Sequence, residues 1–384
     1  MKANFIEKTC EIKTKHATFP IKFYAPAWAK GYKCEPGTCG LCCIVQRPEK
    51  VPDQFLDIFP KLICGFYDLE QKKCKRYLQR RFGCRVFPFI FGVEEGAIVT
   101  STMLGCPATN SNLEIDSGVI VRALSDPYIL RAIVEMDILY KEAKNNEMWK
   151  EADRFWVSLS DEVRNFFKRK KSFPFVSELK DLVFDAADDF LEIPKLKREH
   201  SELPPWSKLV FNVARGYIAT RFESCRVYYI KVRGSETIMI SVDSELRDRR
   251  EVRFKTPEKS PDLELDNGAH NLFNNYVSLM FKRPFLSLAA TCLEFGPRHV
   301  PVYLSELLVG SLVSLEIGAA IISSRDELTR VDRDTMREII SFSEPVVLNQ
   351  FEMLSLRVIP IEYIQKKPDF SAVGYKSKKK SCGF

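Results

Sequence analysis

From residue 11 to residue 24 apolar and polar side chains alternate, and many are β-branched or aromatic. That two-residue period predicts a strand. Pro20 sits inside the run without an N–H to donate, so an interruption is expected there. Residues 51–63 place Phe55, Ile58, Phe59 and Leu62 at helical spacing and predict a short helix. Two further strand patterns, Val86–Val93 and Ala97–Met103, flank Glu94-Glu95-Gly96, which predicts a hairpin. Residues 111–120 read as loop. The period then changes to that of helices with charged outer faces over residues 127–140, 146–169 and 176–192.

A proline-marked segment, Ile193–Trp206, predicts a boundary. After a short helix come three strand patterns, 226–232, 237–242 and 251–254, expected to form a small meander. Residues 257–269 read as a polar loop, and helices are expected over 271–294, 301–323 and 333–342. No internal repeat is evident. The last nineteen residues, Lys366–Phe384, are lysine-rich and poor in large apolar groups, the composition of a basic flexible tail.

Composition narrows the class. With 384 residues, 45% hydrophobic and 28% charged, the chain is long enough for two or three domains and has the balance of a soluble globular protein. The most apolar window, Tyr303–Ile322, carries Glu306 and Glu316 and spaces its leucines helically, so a core helix is expected rather than a membrane span. Met1-Lys-Ala-Asn-Phe-Ile-Glu-Lys lacks the apolar region of a secretion signal, and a cytoplasmic location follows as the expectation. In that reducing compartment clustered cysteines hold metal more often than disulfides, with the disulfide-rich proteins of hyperthermophiles as the exception. A net charge of +7 suits anionic partners without requiring them.

The cysteines supply the candidate chemistry. Eight of twelve lie between Cys34 and Cys106, at Cys34, Cys39, Cys42, Cys43, Cys64, Cys74, Cys84 and Cys106. Four crowd into Cys34-Glu-Pro-Gly-Thr-Cys39-Gly-Leu-Cys42-Cys43, where glycines permit the tight turns of a metal loop. Structural zinc takes four thiolate or imidazole ligands and iron–sulfur clusters usually take four thiolates, so eight cysteines exceed one site and are enough for two. Cys39-x2-Cys42 lets two sulfurs converge, whereas the side chains of the adjacent Cys42 and Cys43 diverge. Cys34-x4-Cys39-x2-Cys42 has the spacing of plant-type [2Fe–2S] ferredoxins, although zinc sites tolerate similar gaps. Between Gln71 and Arg85 stand seven positive side chains and no acid. Lys72, Lys73, Arg76, Arg81 and Arg85 are suited to stabilise an anionic cluster and keep its thiols deprotonated. They equally suit nucleic acid or a phosphorylated cofactor.

Taken together, the Cys34–Cys43 cluster, the spaced Cys64 and Cys74, Gly83-Cys84-Arg85-x-Phe87-Pro88-Phe89 and Gly105-Cys106-Pro107 closely resemble the YkgJ or "CxxCxxCC" cysteine-cluster family, described as a zinc- or iron-chelating domain. The resemblance covers residues 30–110. It departs in the four-residue gap after Cys34 and in Ala108, where a glycine often stands. It implies Cys39, Cys42, Cys43, Cys74, Cys84 and Cys106 as ligands, with Cys64 beside them, and a supporting and packing role for Arg85, Phe87 and Pro88.

The expected fold is α+β: an N-terminal cysteine-rich metal-binding domain with a β-hairpin, then a mainly helical region with a small antiparallel β-meander. The expected units are 1–110, 111–200, 201–365 and the tail 366–384. The expected function is metal binding by a cysteine cluster, with a [4Fe–4S] or [2Fe–2S] cluster or zinc as cofactor and a structural, redox or sensing role alongside a protein partner. Flagellin lysine methylases are similar in their cysteine motif. That weaker resemblance implies, as an alternative, an iron–sulfur and S-adenosylmethionine-dependent protein or RNA methyltransferase, or an oxidoreductase. Against it, the chain has no glycine-rich nucleotide loop or Walker motif, and its first gap is one residue longer than the C-x3-C-x2-C of radical enzymes. A zinc-stabilised nucleic-acid-associated factor is a further alternative, resting on the basic run and tail.

Overall fold

The computed structural model describes residues 5–13, 18–26, 66–68, 70–71, 73–76, 89–102, 104, 117–145, 147–191, 218–220, 226–243, 248–284, 300–341 and 344. These form a mixed α+β structure with seven helices and several small sheets among the described residues. The proposed unit boundaries, the tail and the helix expected at 51–63 lie outside them; of the stretch between 206 and 226, where a short helix is expected, residues 218–220 are described and form a strand.

The first sheet has the order β1 (Phe5–Lys13), β2 (Thr18–Pro26), β6 (Ala97–Thr102), β5 (Phe89–Glu94). Alternation along β2 sends Phe19, Ile21, Phe23 and Ala25 into the core, while Thr18 and Pro20 stay exposed. The strand reading of residues 11–24 is corrected in one respect. The run divides between Lys13 and Thr18 into two antiparallel strands, with Pro20 inside β2 opposite Glu11. Pairing of β2 with β6 begins one residue later, at Ile21, so that ladder asks nothing of the missing proline N–H.

The expected hairpin is present. Strands β5 and β6 pair antiparallel from Glu94↔Ala97 to Phe89↔Thr102. Glu95 and Gly96 turn the chain with φ of 54° and 72°, the left-handed values of a two-residue hairpin. The second interior neighbour, β2, runs parallel to β6. Both β5 and β6 are buried along almost their full length.

Two short strands, β3 (Tyr67–Asp68) and β4 (Lys73–Cys74), form a separate hairpin. The helices α1 (Ser117–Leu124), α2 (Pro127–Lys144), α3 (Glu147–Arg169) and α4 (Val176–Leu191) follow. Residues 117–120, expected as loop, belong to α1. Ile120 and Leu124 recur at i and i+4, and both are fully buried against the first sheet. The meander is antiparallel as expected, with β8 (Ile218–Thr220), β9 (Arg226–Arg233), β10 (Glu236–Asp243) and β11 (Arg249–Lys255) in the order β11-β10-β9-β8.

The polar-loop reading of 257–269 is also corrected. Strand β12 (Leu263–Leu265) pairs between β7 (Ser172–Phe173) and β13 (Arg330–Val331). Helix α5 then spans Asn267–Met280, because Asp266 accepts the Ala269 N–H at 2.7 Å and caps it. The helix expected to reach residue 294 stops there; the N–H groups of Lys282 and Arg283 turn back onto Leu279. Helix α6 spans Val300–Asp326 and α7 spans 333–341.

One continuous hydrophobic core runs from Ile12 to Ile340 among the described residues. Phe167 sits at its centre, edge-on to Phe273 with ring centroids 4.7 Å apart and to Phe175 at 5.1 Å. By length and composition α6 is able to cross a membrane, yet 83% of its most apolar window is buried inside the fold. Helices α3 and α4 pack on it.

Candidate metal centre

Of the eight cysteines expected as ligands, Cys74 is described. Cys34, Cys39, Cys42, Cys43, Cys64, Cys84 and Cys106, together with Arg85, lie outside the described residues. Cys74 is a half-buried free thiol at the end of β4, opposite Tyr67. Its hairpin is shaped by Asp68, whose Oδ1 accepts the N–H groups of Glu70 at 3.1 Å and Gln71 at 3.0 Å. The Gln71 N–H, ahead of the cations Lys75 and Lys73, holds the Asp68 carboxyl below the usual carboxylate range.

Lys73 and Arg76, expected to support a bound cluster, flank this thiol and are exposed. The Arg76 guanidinium stacks 4.0 Å above the Phe66 ring, and the Lys75 N–H returns to the Phe66 carbonyl at 2.7 Å. A free cysteine sulfur is a donor type that zinc and iron–sulfur sites take. Cys10, the other described free cysteine, is different. It is half-buried in β1, and burial pushes its thiol pKa up, which disfavours the thiolate a metal requires. Among the described residues no group of three His, Cys, Asp or Glu side chains is placed to hold a metal ion.

The β5–β6 hairpin bears on two more cysteines. Phe89 and Thr102 are register partners at its open end. Cys84 precedes Phe89 by five residues and Cys106 follows Thr102 by four. Both cysteines lie outside the described residues.

Just beyond β6 the chain is held by a carboxylate from far along the sequence. The Leu104 N–H donates to Glu344 Oε2 at 2.9 Å. Arg283 grips the same carboxylate at both oxygens, Nη1 to Oε1 and Nη2 to Oε2, each at 2.9 Å, and the Tyr276 hydroxyl donates to Oε1 at 2.6 Å. Both charged side chains are 0% exposed. Burial opposes the charged form of Arg283, but the Glu344 charge beside it prevails and the guanidinium pKa moves up. The Arg283 Nε is buried without a hydrogen-bond partner among the described residues.

Sequence reasoning passed over Arg283 and Glu344. The one signal available was charge set among apolar and proline residues, in Phe281-Lys282-Arg283-Pro284-Phe285 and Ser343-Glu344-Pro345-Val346. Neither stretch announces a partner. In comparisons with family models, curated proteins and solved structures, nothing matches this chain.

Proposed function

We propose that the chain is a cysteine-cluster metal-binding protein, holding zinc or an iron–sulfur cluster through cysteines of the Cys34–Cys106 stretch. The observation that carries the reading is the crowding of eight cysteines, four of them within ten residues, into one part of the chain. Three features support it. Cys74 is a free, half-buried thiol flanked by Lys73, Lys75 and Arg76. Phe89 and Thr102, five residues after Cys84 and four before Cys106 in the chain, are register partners. The residues also resemble a metal-chelating cysteine family in motif and spacing.

If bound, either group would draw on thiolates for ligation and on the Lys73–Arg85 cations to offset its negative charge. Purification without oxygen, followed by metal and sulfide analysis, tests the reading. Brown protein with iron and sulfide in fixed ratio identifies a cluster, and colourless protein with stoichiometric zinc identifies a zinc site. Full-length protein carrying neither rejects it.

A further inference from the structure

We propose that β11 is a self-association surface, the free edge along which a second copy of this chain adds its own β11 antiparallel. Strand β11 pairs with β10 and stands at the end of the order β11-β10-β9-β8. Six of its seven residues are exposed, and Phe254 is half-buried. An open edge of that length offers a row of backbone donors and acceptors to another strand.

The register identifies those groups. The Thr256 N–H donates to the Ser235 carbonyl at 2.8 Å, one step beyond the Glu236↔Lys255 pair. Hydrogen-bonded pairs recur at every second residue of an antiparallel ladder, so Phe254, Val252 and Arg250 turn their backbone groups to β10. Arg249, Glu251, Arg253 and Lys255 turn theirs to the open edge.

Charge selects the occupant. A second copy laid antiparallel in full overlap, centred on Val252, sets Glu251 opposite Arg253 of the second copy and Arg253 opposite its Glu251. Both are hydrogen-bonded positions carrying opposite charges, and the two-fold axis repeats the contact. Val252, 44% exposed, meets Val252 of the second copy and is covered by it. The outer pair, Arg249 opposite Lys255, is like-charged, and Glu258 offsets it 2.9 Å from the Lys255 ammonium. A slip of two residues in either direction shortens the pairing and sets Glu251 on Glu251 or Arg253 on Arg253. Within one chain Glu251 takes the Arg249 and Arg253 guanidiniums at 2.6 and 2.7 Å. Surface pairs of this kind hold weakly and exchange partners readily.

The test is sedimentation of the full-length protein as wild type, E251R, R253E and E251R/R253E. The wild type is expected to be a dimer. Each single variant brings like charges together twice and should raise the dimer Kd about tenfold, while the double variant restores both pairs and the wild-type Kd. A monomeric wild type, its edge left to a strand of some other protein, overturns the proposal. So does a single variant that associates as tightly as wild type, or a double variant no tighter than the singles.

V252C reads the register without disturbing charge. Directly opposed residues at a non-hydrogen-bonded position have Cα atoms about 4.5 Å apart, within disulfide range. Mild oxidation should therefore link two V252C chains through position 252, identified by mass spectrometry of the joined peptide. A V252C dimer that forms no such link overturns the proposal.

Discussion

Glu316 Oε2 accepts the backbone N–H of Val176 at 2.8 Å, and the same oxygen accepts the Phe175 N–H at 2.8 Å. These are the leading N–H groups of α4, which have no acceptor within their own helix. Phe175 has no side-chain oxygen to cap them, so the cap comes from the middle of α6, where a negative charge also meets the positive end of the α4 dipole. Ser260 donates to the other Glu316 oxygen, tying the segment before β12 to the same point.

Removing this carboxylate strands two buried N–H groups and a hydroxyl. Glu316→Ala is therefore expected to lower unfolding free energy by about 3 kcal/mol or more. Glu316→Gln, which keeps a carbonyl acceptor, should cost less. Urea titration of both variants measures the difference, and a loss below about 1 kcal/mol in the alanine variant contradicts the capping role.

At the β5–β6 turn, a Cβ added to Gly96 would meet nothing within 4 Å, while the backbone stands at φ 72°. Gly96→Ala should thus act through backbone strain alone and destabilise by about 1–2 kcal/mol. A lowered urea midpoint with an unchanged m value is the expected signature. An unchanged midpoint would show that the left-handed turn is not held.

Asp332 caps α7, accepting the Thr335 N–H at 2.8 Å. That hydrogen bond, first among the causes, holds its carboxyl pKa below the ordinary aspartate value. A depressed folded-state pKa means that the unfolded chain takes up a proton first as pH falls. The stabilisation is complete above the unfolded-state value of about 4 and drains away through the folded-state value below it. Asp332→Ala should cost about 1 kcal/mol at neutral pH. The gap to wild type should close as unfolding is repeated at about pH 3 and below, and a gap independent of pH would contradict the assignment.

If metal ligation is built with the fold, its binding energy is also folding energy. Cys39→Ser and Cys42→Ser should each reduce metal per chain and lower Tm by several degrees, on the order of 2 kcal/mol or more of stability. Wild-type melting and metal content in both variants would remove these two residues from the ligand set.

Much of the secondary structure was legible because its causes are local. Glu94-Glu95-Gly96 lies between two short apolar runs, and nothing beyond those residues is needed to expect a hairpin. The helices over 147–169 and 176–191 show their period in the sequence itself. Misreadings came where local signals were mixed. The run Asp266-Asn-Gly-Ala269 looked like loop although Asp266 is a capping residue, because the apolar face of its helix becomes visible only once Leu272, Phe273 and Tyr276 are seen buried. The parallel pairing of β2 with β6 joins strands more than seventy residues apart, and no pattern within either strand specifies it.

The sequence by itself determined the local periods of helix and strand, the turn at Gly96 and the positions of twelve cysteines in the chain. These follow from covalent order and from side-chain preferences that act over a few residues. Only the tertiary structure decided that Arg283 and Glu344 leave water together, that Glu344 holds Leu104, and that Glu316 caps a helix 140 residues away. A charged side chain reads the same in sequence whether solvated or buried. Its partner is selected only when folding excludes water and makes an unpaired charge too costly to keep.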